Sequence, residues 1–388
     1  MTRQSQRLGA LPPYLLAEID RQKKAALTAG QDVIDFGVGD PDDPTHPFIV
    51  EAMKAALDRP ELHHYPLGGG TPAFRAAVAA FFARRYGVEL NPQTEVLALV
   101  GSKEGIGHLP LALIDPGQTV LIPSPGYPAY RAGTIFAGGV PHEMNLSAER
   151  RWLIDFSTIP SDMARRARLL FVNYPGNPTG ATATLDFYRD AVDFARQHDL
   201  VLASDAAYNE MYLDGQRPPS VLEVPGARDV AIEFHSASKT FNMTGWRIGF
   251  VVGCADVVAA LGRFKANVDS GVFAAIQQSA VVAYEGIDRP EIDAQRRKYR
   301  ERAERLCAAL RTLGMRADVP RATFYVWART PAGVDSLTFS RRLLDEAGIV
   351  CVPGVGFGAA GEGYVRFSVS VPTPRIDLAI ERIRGLRW

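Results

Sequence analysis

The sequence predicts an α/β fold: a mostly parallel central sheet flanked by helices, with a smaller α+β unit beside it. Three observations carry this. Short apolar runs at 96–100, 120–122, 169–172, 201–203, 231–234 and 248–252 are continuous rather than alternating. That marks strands buried on both faces. Helical patterns such as Leu185–Gln197 sit between several of them, as a layered α/β arrangement requires. After about residue 290 the texture changes to a long charged helix followed by mixed strand-like and helical pieces.

Taken in order, the first element is a helix over 13–29, ended by Gly30. Thr71 then reads as an N-cap with Pro72 at the first helical position. Phe74, Val78, Phe81 and Phe82 recur at helical spacing, and Gly87 closes that helix. The buried strands come next. Beyond them lie a helix over 292–313 ended by Gly314, a strand over 323–328 and a helix over 337–347. Strands over 350–352 and 365–369 and a last helix near 376–383 complete the chain. The expected division is a large domain over 45–288 and a small domain made of 1–44 plus 289–388.

Composition narrows the function. Over 388 residues, 43 Lys plus Arg balance 43 Asp plus Glu. A net charge of zero excludes a strong pull on nucleic acid or acidic membranes. Apolar residues at 47% and charged residues at 22% describe an ordinary globular chain. The cysteines Cys254, Cys307 and Cys351 lie far apart, which predicts neither a disulfide framework nor a zinc site. No run of 18 apolar residues occurs, and the first residues are polar, so the expected location is the cytoplasm. Seven histidines are scattered, and the adjacent pair His63–His64 cannot share a helix face, so no metal is expected.

The motifs differ in what chemistry they can carry. Gly356, Gly358 and Gly361 spell GxGxxG, but a dinucleotide fingerprint needs a helix next. Here Tyr-Val-Arg-Phe-Ser-Val comes next, a strand, so the motif reads as a glycine-rich turn. Gly101-Ser102-Lys103 is different. It joins a strand to a helix, where free backbone N–H groups and the positive dipole end favour phosphate. The sharpest feature is His235-Ser236-Ala237-Ser238-Lys239-Thr240, then Gly245-Trp246-Arg247-Ile248-Gly249. Ser236, Ser238 and Arg247 can together bind a phosphate dianion. A lysine beside an arginine has its pKa pushed down by like charge, which frees an amine for Schiff-base chemistry. Asp205 ends another strand, with Tyr208 three residues on. Asn173-Tyr174-Pro175-Gly176-Asn177-Pro178-Thr179-Gly180 succeeds a fourth. Ligands in open α/β sheets sit at the carboxyl ends of strands. Ser102, Asn177, Asp205 and Lys239 all fall just past such ends.

These residues, in this order, resemble the fold-type I pyridoxal phosphate enzymes, specifically the class I/II aminotransferases. The likeness runs from Gly37-Val38-Gly39-Asp40-Pro41 to Arg366-Phe367-Ser368. It implies pyridoxal 5'-phosphate as cofactor and a role for each matching position. Lys239 would form the Schiff base and then shuttle the proton. Asp205 would face the pyridine nitrogen, and Tyr208 and Asn177 the phenolic oxygen. Tyr127 would stack on the ring. Ser102, Lys103, Ser236 and Arg247 would hold the phosphate, joined by Ser238. Arg366 would clamp the substrate α-carboxylate, with the backbone near Gly39 and with Asn177 beside it. Tyr65, in His64-Tyr65-Pro66-Leu67-Gly68, resembles the tyrosine that reaches a neighbouring subunit's phosphate, which implies a homodimer.

Three stretches, 101–106, 125–130 and 267–273, look like those of LL-diaminopimelate aminotransferases. The implied reaction moves an amino group from LL-2,6-diaminopimelate, or a similar L-amino acid, to 2-oxoglutarate by ping-pong kinetics, in lysine biosynthesis. For the far end of that substrate, Asp269, Ser270, Asn267 and Glu104 are the candidates. Relatives acting on aspartate, alanine, aromatic residues or succinylated diaminopimelate share most of the motifs, as do C–S lyases on the same cofactor. A pyridoxal phosphate-sensing regulator is disfavoured, because only about 30 residues precede the first matching segment and the net charge is zero.

Overall fold

The computed structural model describes residues 4–11, 15–66 and 68–386. Its centre is a seven-stranded sheet. The strand order is Val96–Leu99, Gly249–Gly253, Ala231–Ser236, Val201–Asp205, Ala167–Asn173, Thr119–Ser124 and Val140–Asn145. Every pairing is parallel except the two made by Gly249–Gly253, which runs against both neighbours.

The continuous apolar runs have the expected cause. Within Val96–Leu99, Val96 and Ala98 enter one core cluster while Leu97 and Leu99 enter another, as a period of two dictates. Helices Ser102–Leu113, Pro128–Phe136 and Ala255–Ala266 cover one face. Helices Pro72–Tyr86, Leu185–Gln197 and Ala274–Glu285 cover the other. Both caps of Pro72–Tyr86 are as predicted: the Thr71 hydroxyl accepts from Phe74 N–H, and Gly87 closes the helix at φ 66°.

Several elements were not announced, among them helix Pro47–Leu57 and strand Arg316–Ala317, and two differences have a plain physical cause. Val140–Asn145 is a strand that no apolar run announced. It lies at the sheet edge, is only partly buried, and carries Pro141, where a missing N–H is tolerated. The strand expected over 350–352 is two strands. Ile349–Val350 pairs in parallel with Ile34–Asp35, and Val352–Pro353 pairs antiparallel with Tyr364–Ser368. One apolar run thus serves two sheets, changing partner at Cys351.

The second main sheet has four antiparallel strands in the order Val352–Pro353, Tyr364–Ser368, Tyr325–Arg329 and Arg316–Ala317. Helices Pro290–Thr312, Ser336–Ala347 and Thr373–Arg384 pack on it. The N-terminal helix spans Leu15–Thr28; its predicted start at Pro13 lies outside the described residues, as does Leu67. A short helix, Gln6–Gly9, precedes it. The 356–361 glycines lie in 3-10 turns, Gly354–Phe357 and Ala359–Gly361. Among the described residues no helix is long and apolar enough to cross a membrane.

Candidate functional site

The parallel strands all end at one edge of the large sheet, and the turns leaving them meet there. The antiparallel strand explains the rest. Ala231–Ser236 and Gly249–Gly253 are joined by a connection holding only the four-residue helix Ala237–Thr240. No helix there is long enough to pack across the sheet as a crossover, and the two strands pair antiparallel. The chain therefore turns back at the same edge, so both Lys239 and Arg247 stand there. A cavity of about 410 Å³ opens at this edge. It is lined by Ser102, Lys103, Tyr127, Asn177, Asp205, Tyr208, Ser236, Ser238, Lys239 and Arg247, and by Gly39 and Arg366 from the other part of the chain. Tyr65 does not line it; that side chain is 82% exposed.

Gly101, at φ 74°, turns the 96–99 strand into helix Ser102–Leu113. A Cβ on Gly101 would stand 2.4 Å from the Arg247 guanidinium, so a side chain here would push the arginine aside, and the positive φ itself favours glycine. Arg247 itself sits at φ 56° and donates to the Thr244 carbonyl at 2.7 Å. The Ser236 hydroxyl accepts from Ser238 N–H at 3.2 Å, leaving its own proton to donate. Together these groups form a concave anion site.

Lys239 Nζ donates to the Gly39 carbonyl at 2.6 Å. Burial pushes its ammonium down to about 8, and Arg247 and Arg366 push the same way against Asp40. Like charge is the cause expected from the sequence. The tertiary structure makes desolvation the larger one.

Asp205 is buried at 4% exposure. It accepts from the Tyr130 hydroxyl at 2.7 Å and from Ala207 N–H at 3.2 Å. Among the described residues no lysine or arginine pairs with it. Burial raises its pKa, opposed by the Tyr130 and Ala207 hydrogen bonds. Arg366 is the converse case. It donates to Asn177 Oδ1 at 2.9 Å and to the Gly37 carbonyl at 2.6 Å, both neutral acceptors. Its guanidinium lies 4.2 Å from the Tyr325 ring centre, and its buried Nε has no partner. A buried charge without a counter-ion is costly. The cavity thus holds an anion lacking a cation and a cation lacking an anion. A pyridinium ring beside Asp205, a phosphate at Ser102 and Arg247, and a carboxylate at Arg366 match this donor set. The residues present fit pyridoxal phosphate and an amino acid.

Two residues of the site are absent from the sequence expectations. Tyr130 holds Asp205 and stacks on Phe171 at 4.8 Å. Its spacing of three from Tyr127, at a helix start, is the available signal. Tyr325 bonds the Tyr208 hydroxyl at 2.8 Å and lies so close to Gly39 that a Cβ there would stand 1.9 Å from its hydroxyl. No local pattern announces it. The substrate candidates fare differently. Glu104 and Asp269 both pair with Lys265, Asn267 donates to the Arg263 carbonyl, and none of these or Ser270 lines the cavity.

Comparison with known proteins agrees with this chemistry. The profile of the family described as "Aminotransferase class I and II" matches residues 31–383. The LL-diaminopimelate aminotransferase of Aquifex aeolicus is 52% identical over 383 residues, covering 99% of each chain. That of Desulforudis audaxviator is 51% identical, covering 98% of this chain and 97% of the other. Among solved structures, substrate-bound BacF from Bacillus subtilis superposes with a TM-score of 0.95. It is 38% identical, covering 100% of this chain and 99% of that one. Profile, full-length identity and the paired uncompensated charges converge: this chain belongs to the class I and II aminotransferases, which use pyridoxal 5'-phosphate to exchange an amino group between an amino acid and a 2-oxo acid.

Proposed function

We propose that the enzyme moves the amino group of LL-2,6-diaminopimelate, or a close L-amino acid, to 2-oxoglutarate at the cavity around Lys239. The supporting observation is the 52% identity, along the whole chain, to an enzyme of that name. The cofactor supplies an aldehyde that takes up the amino group and a ring that draws electrons from the substrate α-carbon.

The chain's own groups do the rest. Ser102, Lys103, Ser236, Ser238 and Arg247 hold the phosphate at the helix N-terminus. Asp205, shielded from water, keeps a proton on the ring nitrogen. Tyr208 and Asn177 would bond the phenolic oxygen, and Tyr127 would cover the ring face. Arg366 grips the α-carboxylate bidentately, next to the Gly39 backbone. Lys239, held near neutrality by burial, anchors the cofactor. Its free Nζ would be the base that takes the proton from the substrate α-carbon.

Residues 45–288 form the cofactor-binding domain, and 1–44 with 289–388 the small domain. Exposed Tyr65 reaches the phosphate of a second copy in a homodimer; light scattering that gives a monomer at micromolar protein removes this.

The reaction is tested by the visible spectrum of the holoenzyme mixed with LL-diaminopimelate and no 2-oxo acid. The aldehyde band is expected to convert to the pyridoxamine form. A band that does not respond, while another L-amino acid converts it, discards the donor and keeps the chemistry.

A further inference from the structure

A second cavity, of about 500 Å³, adjoins the first. Both are lined by Lys103, Tyr127, Asn177 and Arg366, so these four side chains stand between them. The second is walled largely by apolar groups such as Ile122, Pro123, Val355 and Phe357. Two further charged side chains line it, Arg131 and Glu143, and Arg131 donates to Glu143 Oε1. Arg131 stands four residues past Tyr127, on helix Pro128–Phe136. Glu143 stands on the edge strand opposite Ile122. Their side chains are 34% and 26% exposed. An ion pair this wet adds little to stability, and the cofactor chemistry does not use it.

We propose that the second cavity receives the far end of the amino donor, with Glu143 accepting its distal ammonium and Arg131 gripping its distal carboxylate. This rests on diaminopimelate being the donor. Arg366, which takes the α-carboxylate in that reading, lines both cavities. The substrate's reacting end is thereby placed beside the second cavity, and in this proposal its three methylenes pass the shared side chains to the apolar walls. The far end of diaminopimelate is itself an amino acid, a zwitterion. A side-chain pair of opposite charge can part and re-pair with a zwitterion, leaving no charge uncompensated. Of the other charged groups nearby, Lys103 lines both cavities and serves the phosphate in the reading above. Lys23, at the mouth of the first cavity, is held by Asp35 at 2.9 Å and Asp20 at 3.4 Å. Asp35 also holds Gly37 N–H at 2.7 Å, on the residue whose carbonyl orients Arg366.

The test compares LL-diaminopimelate with L-2-aminopimelate, which lacks only the distal ammonium, on the holoenzyme. The wild type is expected to prefer diaminopimelate in kcat/KM. Glu143→Gln is expected to cut that preference roughly tenfold or more, chiefly through KM, because a charge-assisted hydrogen bond to the ammonium is lost. Arg131→Gln is expected to weaken both compounds alike, since both carry the distal carboxylate. The double variant, which leaves neither charge unpaired, and the cofactor absorbance of each variant report on folding. Calorimetric titration of LL-diaminopimelate into Lys239→Ala and Lys239→Ala/Glu143→Gln should show the same loss of affinity without turnover. A Glu143→Gln enzyme with wild-type preference and affinity overturns this proposal and leaves the donor reading intact. A wild type that does not turn over LL-diaminopimelate at all overturns the donor reading and this proposal with it.

Discussion

The two ends of the cavity are built in different ways. At the cofactor end, Ser102, Asn177, Asp205, Ser236 and Lys239 each stand at the end of a large-sheet strand or a few residues past it. Their positions are set by strands paired in register. At the substrate end, Arg366 is held by Gly37 and Asn177, partners 329 and 189 residues away. It lies on the second sheet, and Tyr325 of the neighbouring strand packs on its guanidinium. One end is a property of a single sheet. The other exists only when two sheets and the N-terminal segment meet. Damage at the first should stop chemistry, and damage at the second should weaken substrate capture.

The largest effect is expected at the cofactor end. Lys239→Ala should lower turnover by on the order of 10⁴-fold or more, since it removes the group that moves the proton. Near-normal single turnovers would break the comparison at its strongest point. The same residue has a pH signature. Burial holds Lys239 near 8 rather than 10.5. Capture of pyridoxal phosphate by the apoprotein should rise with pH, with its midpoint near 8, and level off above it. Between those two values the unfolded chain keeps a proton that the folded chain has lost, so this group makes apoprotein stability rise with pH there. A capture rate still climbing at pH 10 would mean that Lys239 is not desolvated.

At the substrate end, Arg366→Lys should cost about 100-fold in kcat/KM, because an ammonium cannot replace the planar, bidentate guanidinium. The cofactor should still bind with its normal spectrum. Loss of cofactor in this variant would show that the two ends are not separable. The smallest effect is expected from Tyr130→Phe, which removes one hydrogen bond to Asp205 and leaves the ring stacked on Phe171. A drop of roughly tenfold in kcat, with KM little changed, is the consequence of losing one charge-assisted bond. An unchanged kcat would show that Ala207 N–H suffices to orient the carboxylate.

The difference between the two ends is also a difference in legibility. The strands at 96–99 and 201–205 announce themselves as continuous apolar runs, and a polar residue just past a strand end in an α/β sheet is already a site candidate. Asp205 and Lys239 can therefore be found from their neighbours in sequence. Arg366 cannot. It lies within a strand, and only resemblance to a family marks it. Asp269 and Glu104 show the opposite failure. Their type suits a distal ammonium, but Lys265 between them takes both charges. Glu143 lies on a strand with no apolar signal, because half-buried edges lack the pattern that exposes core strands.

The amino-acid sequence by itself determined the α/β class, the caps of helix Pro72–Tyr86, and the strand-end turns whose polar residues line one cavity. These arise from local periodicity, glycine and proline stereochemistry, and residues a few positions apart. Only the tertiary structure decided that Gly249–Gly253 runs antiparallel and that residues 349–353 divide between two sheets. It alone decided that the Lys239 pKa is lowered mainly by burial and that Tyr130 supports Asp205. Desolvation and long-range pairing depend on the groups that the rest of the chain places around a residue, and no short stretch of sequence contains that information.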